Sequence, residues 1–131
     1  METQPFPVRR VYDPPTEADG VRVLVDRLWP RGVSKESAAV DEWPKEITPS
    51  DGLRTWFHQH RDESEEFTRR YRAELEGPEQ QDAILRLREL AAAGTVTLIT
   101  AVKDPEHSHL PTLREVLRAE GAEGAEGAEG S

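Results

Sequence analysis

The 131-residue chain contains no cysteine, which excludes disulfides, thiolate zinc sites, iron–sulfur clusters and cysteine nucleophiles together. It has no apolar run near the roughly 20 residues of a membrane-spanning helix. Met1–Arg10 lacks the apolar centre of a secretory signal. Gly20, Gly32, Gly52, Gly77 and Gly94 stand singly, so no glycine-rich phosphate loop is present, and no serine lies in a Gly-x-Ser-x-Gly elbow. Lysine is scarce: Lys35, Lys45 and Lys103 stand against 14 arginines. These absences point to a cytoplasmic protein without a membrane partner.

Charge narrows the partners further. The chain carries 26 acidic and 17 basic residues, a formal net charge of −9, which opposes binding to polyanions such as nucleic acid. Four of the glutamates sit in a terminal Ala-Glu-Gly repeat over 119–130, and without them the net is −5. Residues 1–118 therefore read as one domain-sized, mildly acidic body. Residues 119–131 read as a disordered tail, since alanine is the only apolar side chain of the repeat and glycine every third residue opposes a helix.

The body alternates strand and helix signals. Val8–Tyr12 reads as a short strand ended by Asp13-Pro14-Pro15, and Val21–Leu28 as a β-branched second strand after the turn signal Asp19-Gly20. Ser34 caps a short helix through Ala39. Ser50 caps another that carries Leu53, Trp56 and Phe57 on one side. Asp62 opens a helix with Phe67, Tyr71 and Leu75 at four-residue spacing, and Pro78 opens one that Gly94 stops. Thr95–Val102 is an apolar, β-branched run suited to a strand buried on both faces. A last helix starts near Pro111 and carries Leu113, Val116 and Leu117. The order implies a single small α/β domain, with a mainly parallel sheet of about three or more strands packed by helices and at least one right-handed crossover.

If the two central strands are parallel neighbours, both leave the sheet at its carboxyl edge, where open α/β folds place their crevices. One exit carries Asp26, Arg27 and Arg31; the other carries Lys103, Asp104, His107 and His109. Guanidinium and ammonium groups hold phosphate or carboxylate, carboxylates accept protons, and imidazoles titrate near neutrality. Plainer readings stand beside this one. The charges could pair among themselves and close the sheet edge, and Trp29-Pro30 could be a packing lid. His107 and His109 have a spacing that also suits a metal held from a loop, with Asp26 or Asp104 as a third ligand. His58 and His60 read as a solvated helix end. Arg69 and Arg70, surrounded by Glu63, Glu65, Glu66 and Glu74, read as intrahelical ion pairs rather than a nucleic-acid patch.

Val23 to Gly32, with the sequence VLVDRLWPRG, resembles the DUF488 (YeaO-like) family of bacterial and archaeal proteins. The likeness continues in order through Pro49-Ser50, Leu53-Arg54-x-Trp56-Phe57, Phe67-x-x-x-Tyr71-Arg72-x-Glu74-Leu75, Val96-Thr97-Leu98 and Lys103-Asp104-x-x-His107-x-His109, covering about residues 7–117. Three places depart from the family pattern: Ser108 followed by Leu110-Pro111, Gln59-His60 after Trp-Phe, and Ser64 where a tryptophan is usual. The resemblance implies a small cytoplasmic α/β protein without an established substrate or cofactor, and it adds Arg54 and Tyr71 to the strand-end residues.

The resulting expectation is a small enzyme, a hydrolase or group transferase, acting on an anionic phosphate- or nucleotide-like molecule. Asp26, Asp104, His107 and His109 would move protons, and Arg27, Arg31, Arg54, Tyr71 and Lys103 would bind substrate. The alternative is a non-catalytic ligand-sensing or protein-interaction module using the same pocket. Neither reading specifies a cofactor or an oligomeric state.

Overall fold

The computed structural model describes residues 6–118, so the terminal repeat expected to be disordered lies outside the described residues. Three parallel strands form one sheet in the order β1-β3-β2: β1 Val8–Arg10, β2 Val21–Leu24 and β3 Val96–Thr100. β1 aligns Val8 with Leu98, and β2 aligns Val21 with Val96 and Leu24 with Ile99. All five residues of β3 are buried, as its unbroken β-branched and apolar run requires for the central strand of a sheet covered on both faces. The fold is therefore the small parallel α/β domain implied by the sequence.

The strands are shorter than their hydrophobic runs. β2 stops at Leu24, although the Val25 N–H still reaches the Ile99 carbonyl at 3.0 Å. The outer side of β2 is covered by residues 41–42: the Leu24 N–H donates to the Glu42 carbonyl and the Asp41 N–H to that of Arg22. The entry to β2 depends on Gly20, whose φ of 62° is left-handed and where a Cβ would collide with the Thr95 carbonyl.

The helices begin where their capping residues place them. α1 (Lys35–Ala38) and α2 (Asp51–Gln59) follow Ser34 and Ser50, whose hydroxyls accept the N–H groups of Ser37 and Leu53. α3 spans Ser64–Glu74, two residues later than Asp62 suggests. α4 spans Pro78–Ala93, with proline at its first turn and Gly94 just beyond its end. α5 covers 110–118 as far as the structure is described.

Alternation along the strands divides the core in two. Val23, Val96 and Leu98 point to the larger cluster, built with Leu53 of α2, Phe67 and Tyr71 of α3, Ile84 and Leu87 of α4, and Leu113 and Leu117 of α5. Ile99 points to the other face, where Val11 and Ala38 close a small cluster flanked by Trp29, Val33 and Val40. Each fully buried Leu, Ile or Val contributes on the order of 2 kcal/mol of apolar burial.

One charged group is buried with the core. Arg22 is 2% exposed and Asp19 is 4% exposed. Their ion pair measures 2.6 Å, and Arg9 joins the same carboxylate at 2.9 Å. The Arg22 Nε–H also donates to the Ala38 carbonyl at 3.0 Å. The triad binds the segment before β2 to β1 and α1.

Candidate functional site

Because β2 and β3 are parallel neighbours, their carboxyl ends lie side by side. Asp26 joins them: its Oδ1 accepts the Thr100 hydroxyl at 2.6 Å and its Oδ2 accepts the Ala101 N–H at 2.7 Å. The Asp26 carbonyl in turn receives the Trp43 indole N–H at 2.7 Å. Around this junction opens a cleft of about 1090 Å³, at the upper end of the range for small-ligand sites.

Both strand exits line the cleft, and so does one side of α2. Arg27, Arg54, Arg61 and Lys103 supply cationic groups, while Asp26, Asp51 and Asp104 supply carboxylates. Trp29, Phe57 and Phe67 provide aromatic surface between them. A chain of net charge −9 thus gathers four Arg and Lys against three Asp at this edge. Lys103 and Arg61 make no ion pair among the described residues.

Arg27 and Arg54 converge on one carboxylate oxygen. The Arg27 Nε–H donates to Asp51 Oδ1 at 3.1 Å, and the Arg54 Nη1–H donates to the same atom at 3.0 Å. Arg27 is further held by the Thr48 hydroxyl at 3.2 Å. The pairing that would merely close the edge, Asp26 or Arg27 with Lys103 or Asp104, is not the one formed; the partners are Thr100, Ala101, Asp51 and Thr48.

The two late histidines differ. His109 is half-buried and its Nε2–H donates to the Val25 carbonyl at 2.6 Å. Burial and the nearby Arg54 lower its pKa, against opposing contributions from that hydrogen bond and from Asp26, so the ring is neutral at pH 7 with Nδ1 unprotonated. His107 is exposed and its Nδ1–H donates to Asp104 at 2.6 Å; the hydrogen bond and charge of Asp104 raise its pKa. The two rings are thus held by different partners, His107 by Asp104 and His109 by the Val25 carbonyl. Among the described residues no group of three or more His, Cys, Asp or Glu is arranged to hold a metal ion.

Two expected binding residues take other places. Tyr71 is fully buried, donates its hydroxyl to the Ile47 carbonyl, and meets the site through ring contacts with two lining residues, edge-to-face with His109 at 6.0 Å and stacked with Phe67 at 5.9 Å. It lies beneath the lining rather than in it, since its ring is fully enclosed in the larger core cluster. Arg31 is exposed and outside the cleft lining.

Asp51, His58 and Arg61 line the cleft although only the strand exits and Arg54 suggested it. For two of them the signal lies in the helix period: Asp51, Arg54 and His58 follow at steps of three and four opposite the Leu53 side of α2, whereas Arg61 lies in the turn beyond the helix end. His60, by contrast, donates Nδ1–H to the Trp56 carbonyl and stacks on the Trp56 ring, so it belongs to the helix end. The Arg69 and Arg70 pair is intrahelical, as expected: both guanidiniums bond Glu66 and hold its pKa down to about 2.

Residues 5–131 match the model of the family described as the inactive DUF488-N3 subclade. The chain is 44% identical over 111 residues to the uncharacterized protein YeaO of Escherichia coli (strain K12), covering 85% of this chain and 95% of that one. It is 39% identical over 110 residues to the uncharacterized protein Rv3073c of Mycobacterium tuberculosis (strain ATCC 25618 / H37Rv), covering 84% and 91%. Uncharacterized protein Mb3100c of Mycobacterium bovis gives the same figures. No solved structure matches. The chain is a member of the DUF488 family, of the YeaO-like kind. Among the described residues no helix is long and apolar enough to cross a membrane.

Proposed function

We propose that the cleft at the carboxyl edge of the sheet binds a small phosphate- or nucleotide-like anion without converting it, making this a cytoplasmic ligand-sensing module. One observation carries the reading. Both carboxylate oxygens of Asp26 are taken up at the end of β3, whereas Lys103 and Arg61 on the cleft wall make no ion pair among the described residues. A carboxylate with both oxygens committed to the strand ends serves as scaffolding rather than as a free proton acceptor. The name of the matched subclade, with its word inactive, points the same way. The net charge of −9 supports a small anion over nucleic acid or an anionic membrane as partner.

A second reading, a hydrolase or group transferase, is favoured by the Asp104–His107 pair. Its imidazole is exposed at the rim and carries a carboxylate partner, which is the arrangement of a general acid–base group.

Thermal shift with inorganic phosphate and pyrophosphate tests the first reading. Wild type is expected to gain melting temperature, Arg54→Ala and Lys103→Ala to lose that gain, and Arg31→Ala to keep it. Absence of any shift in the wild type removes the anion-binding reading. Turnover of a phosphorylated metabolite that disappears in His107→Gln establishes the enzymatic reading instead.

A further inference from the structure

Asp51 is an exposed carboxylate in the lining of a cleft read as anion-binding, and it is paired there with two of the cleft's own cations. Its side chain is 76% exposed, yet two guanidiniums from different elements bond the same oxygen. Helix capping does not account for it. Ser50 already fills the cap by accepting the Leu53 N–H at 3.1 Å, and Ser50 is itself fixed by Glu74, which accepts its N–H at 2.9 Å. A carboxylate in the first turn gains from the helix dipole wherever it points; this one points at Arg27 and Arg54.

We propose that Asp51 is a built-in competitor for the cleft, occupying the Arg27–Arg54 pair as a ligand oxyanion would and so restricting binding to multiply charged anions. The inference rests on the anion-binding reading above. A tethered carboxylate beside its partners acts at an effective concentration of about millimolar or higher. A singly charged carboxylate of equal intrinsic strength therefore rarely displaces it. A phosphoryl group does, because it offers several oxygens and more charge to a pair of guanidinium forks, in a cleft that Lys103 and Arg61 also line. Displacement frees Asp51 to swing into solvent, where most of its surface already lies. The residue thus acts as a threshold on ligand charge.

The test is calorimetric titration of inorganic pyrophosphate into wild type, Asp51→Asn, Asp51→Ser and Asp82→Asn. Asp82 is an exposed carboxylate on α4, which supplies nothing to the cleft, so its variant reports the general effect of removing one negative charge. Both Asp51 variants are expected to bind about tenfold tighter than wild type, from removal of one close like charge and one competitor, and Asp82→Asn is expected to bind within about twofold of it. Adding Arg54→Ala to Asp51→Asn should cancel the gain. Equal or weaker binding by the Asp51 variants while wild type binds overturns the competitor and leaves the anion site standing. A gain matched by Asp82→Asn also overturns it. If neither wild type nor any variant binds pyrophosphate, the anion-binding reading fails and takes this proposal with it.

Discussion

The Nε2–H of His109 donates to the Val25 carbonyl at 2.6 Å, so an imidazole on the cleft wall is also the tie between the exit of β2 and the start of α5. The bond depends on the ring only as a donor, but the half-buried position disfavours its charged form. A histidine with a depressed folded-state pKa contributes stability that is present above its ordinary value of 6.5 and is lost as pH falls below that value. Urea midpoints should therefore decline between pH 7.5 and 5.5, and His109→Gln should flatten the decline. His107 acts in the opposite sense, because Asp104 raises its pKa. The same pH slope in wild type and His109→Gln would show that burial of His109 is not what senses pH.

Asp26→Asn should destabilise by about 1–3 kcal/mol, because an amide can accept from Thr100 but presents N–H against the Ala101 N–H, leaving a donor without its acceptor. Chemical denaturation measures the loss. An unchanged midpoint would show that Asp26 does not fasten the strand ends and would return it to the list of free carboxylates.

Tyr71→Phe removes the hydroxyl that satisfies the Ile47 carbonyl and should cost about 1–2 kcal/mol. Pyrophosphate affinity should stay within about twofold, since Tyr71 touches the cleft lining only indirectly, through the His109 and Phe67 rings. A large loss of affinity with intact stability would instead make Tyr71 a binding residue.

The Arg9–Asp19–Arg22 triad governs acid behaviour. Burial pushes the Asp19 carboxyl up, but hydrogen bonds from Arg9, the Thr16 N–H and Arg22 together outweigh it and bring the pKa from 3.8 down to about 2. The stabilisation is full above pH 3.8 and is lost as pH falls toward 2; it amounts to about 2 kcal/mol. Asp19→Asn should shift acid unfolding less steeply with pH in that window. It should also cost about 3 kcal/mol or more at neutral pH, from two arginines left short of their counter-ion, one of them buried. Wild-type stability at pH 7 in this variant would contradict the role assigned to the triad.

Much of the architecture was legible in local chemistry. Ser34 and Ser50 announce α1 and α2 because a hydroxyl before an apolar period satisfies an otherwise unpaired N–H, and Pro78 with Gly94 frame α4 for the complementary reasons. Thr95–Val102 reads as a doubly covered strand because no polar face interrupts it. The strand ends were less legible: β2 and β3 stop short of their hydrophobic runs where pairing partners run out, and pairing is a relation between distant segments. The same limit applies to the site. Asp26, Arg27, Lys103, Asp104, His107 and His109 were traceable to one sheet edge from strand direction alone. That Asp26 and His109 tie the strand ends, that Tyr71 faces the core, and that α2 and the turn after it bring Asp51, His58 and Arg61 to the same cleft does not follow from strand direction.

The sequence by itself determined the charge balance, the absence of thiol chemistry, the helix starts and the family to which the chain belongs. Each follows from residue identity or from neighbours a few positions apart. Only the tertiary structure decided which charged groups are free. Arg27 and Arg54 meet Asp51, and Asp26 meets Thr100 across 74 residues of chain, because the sheet sets two remote strand exits side by side. A hydrogen bond requires atoms within about 3 Å, and no local pattern carries that distance.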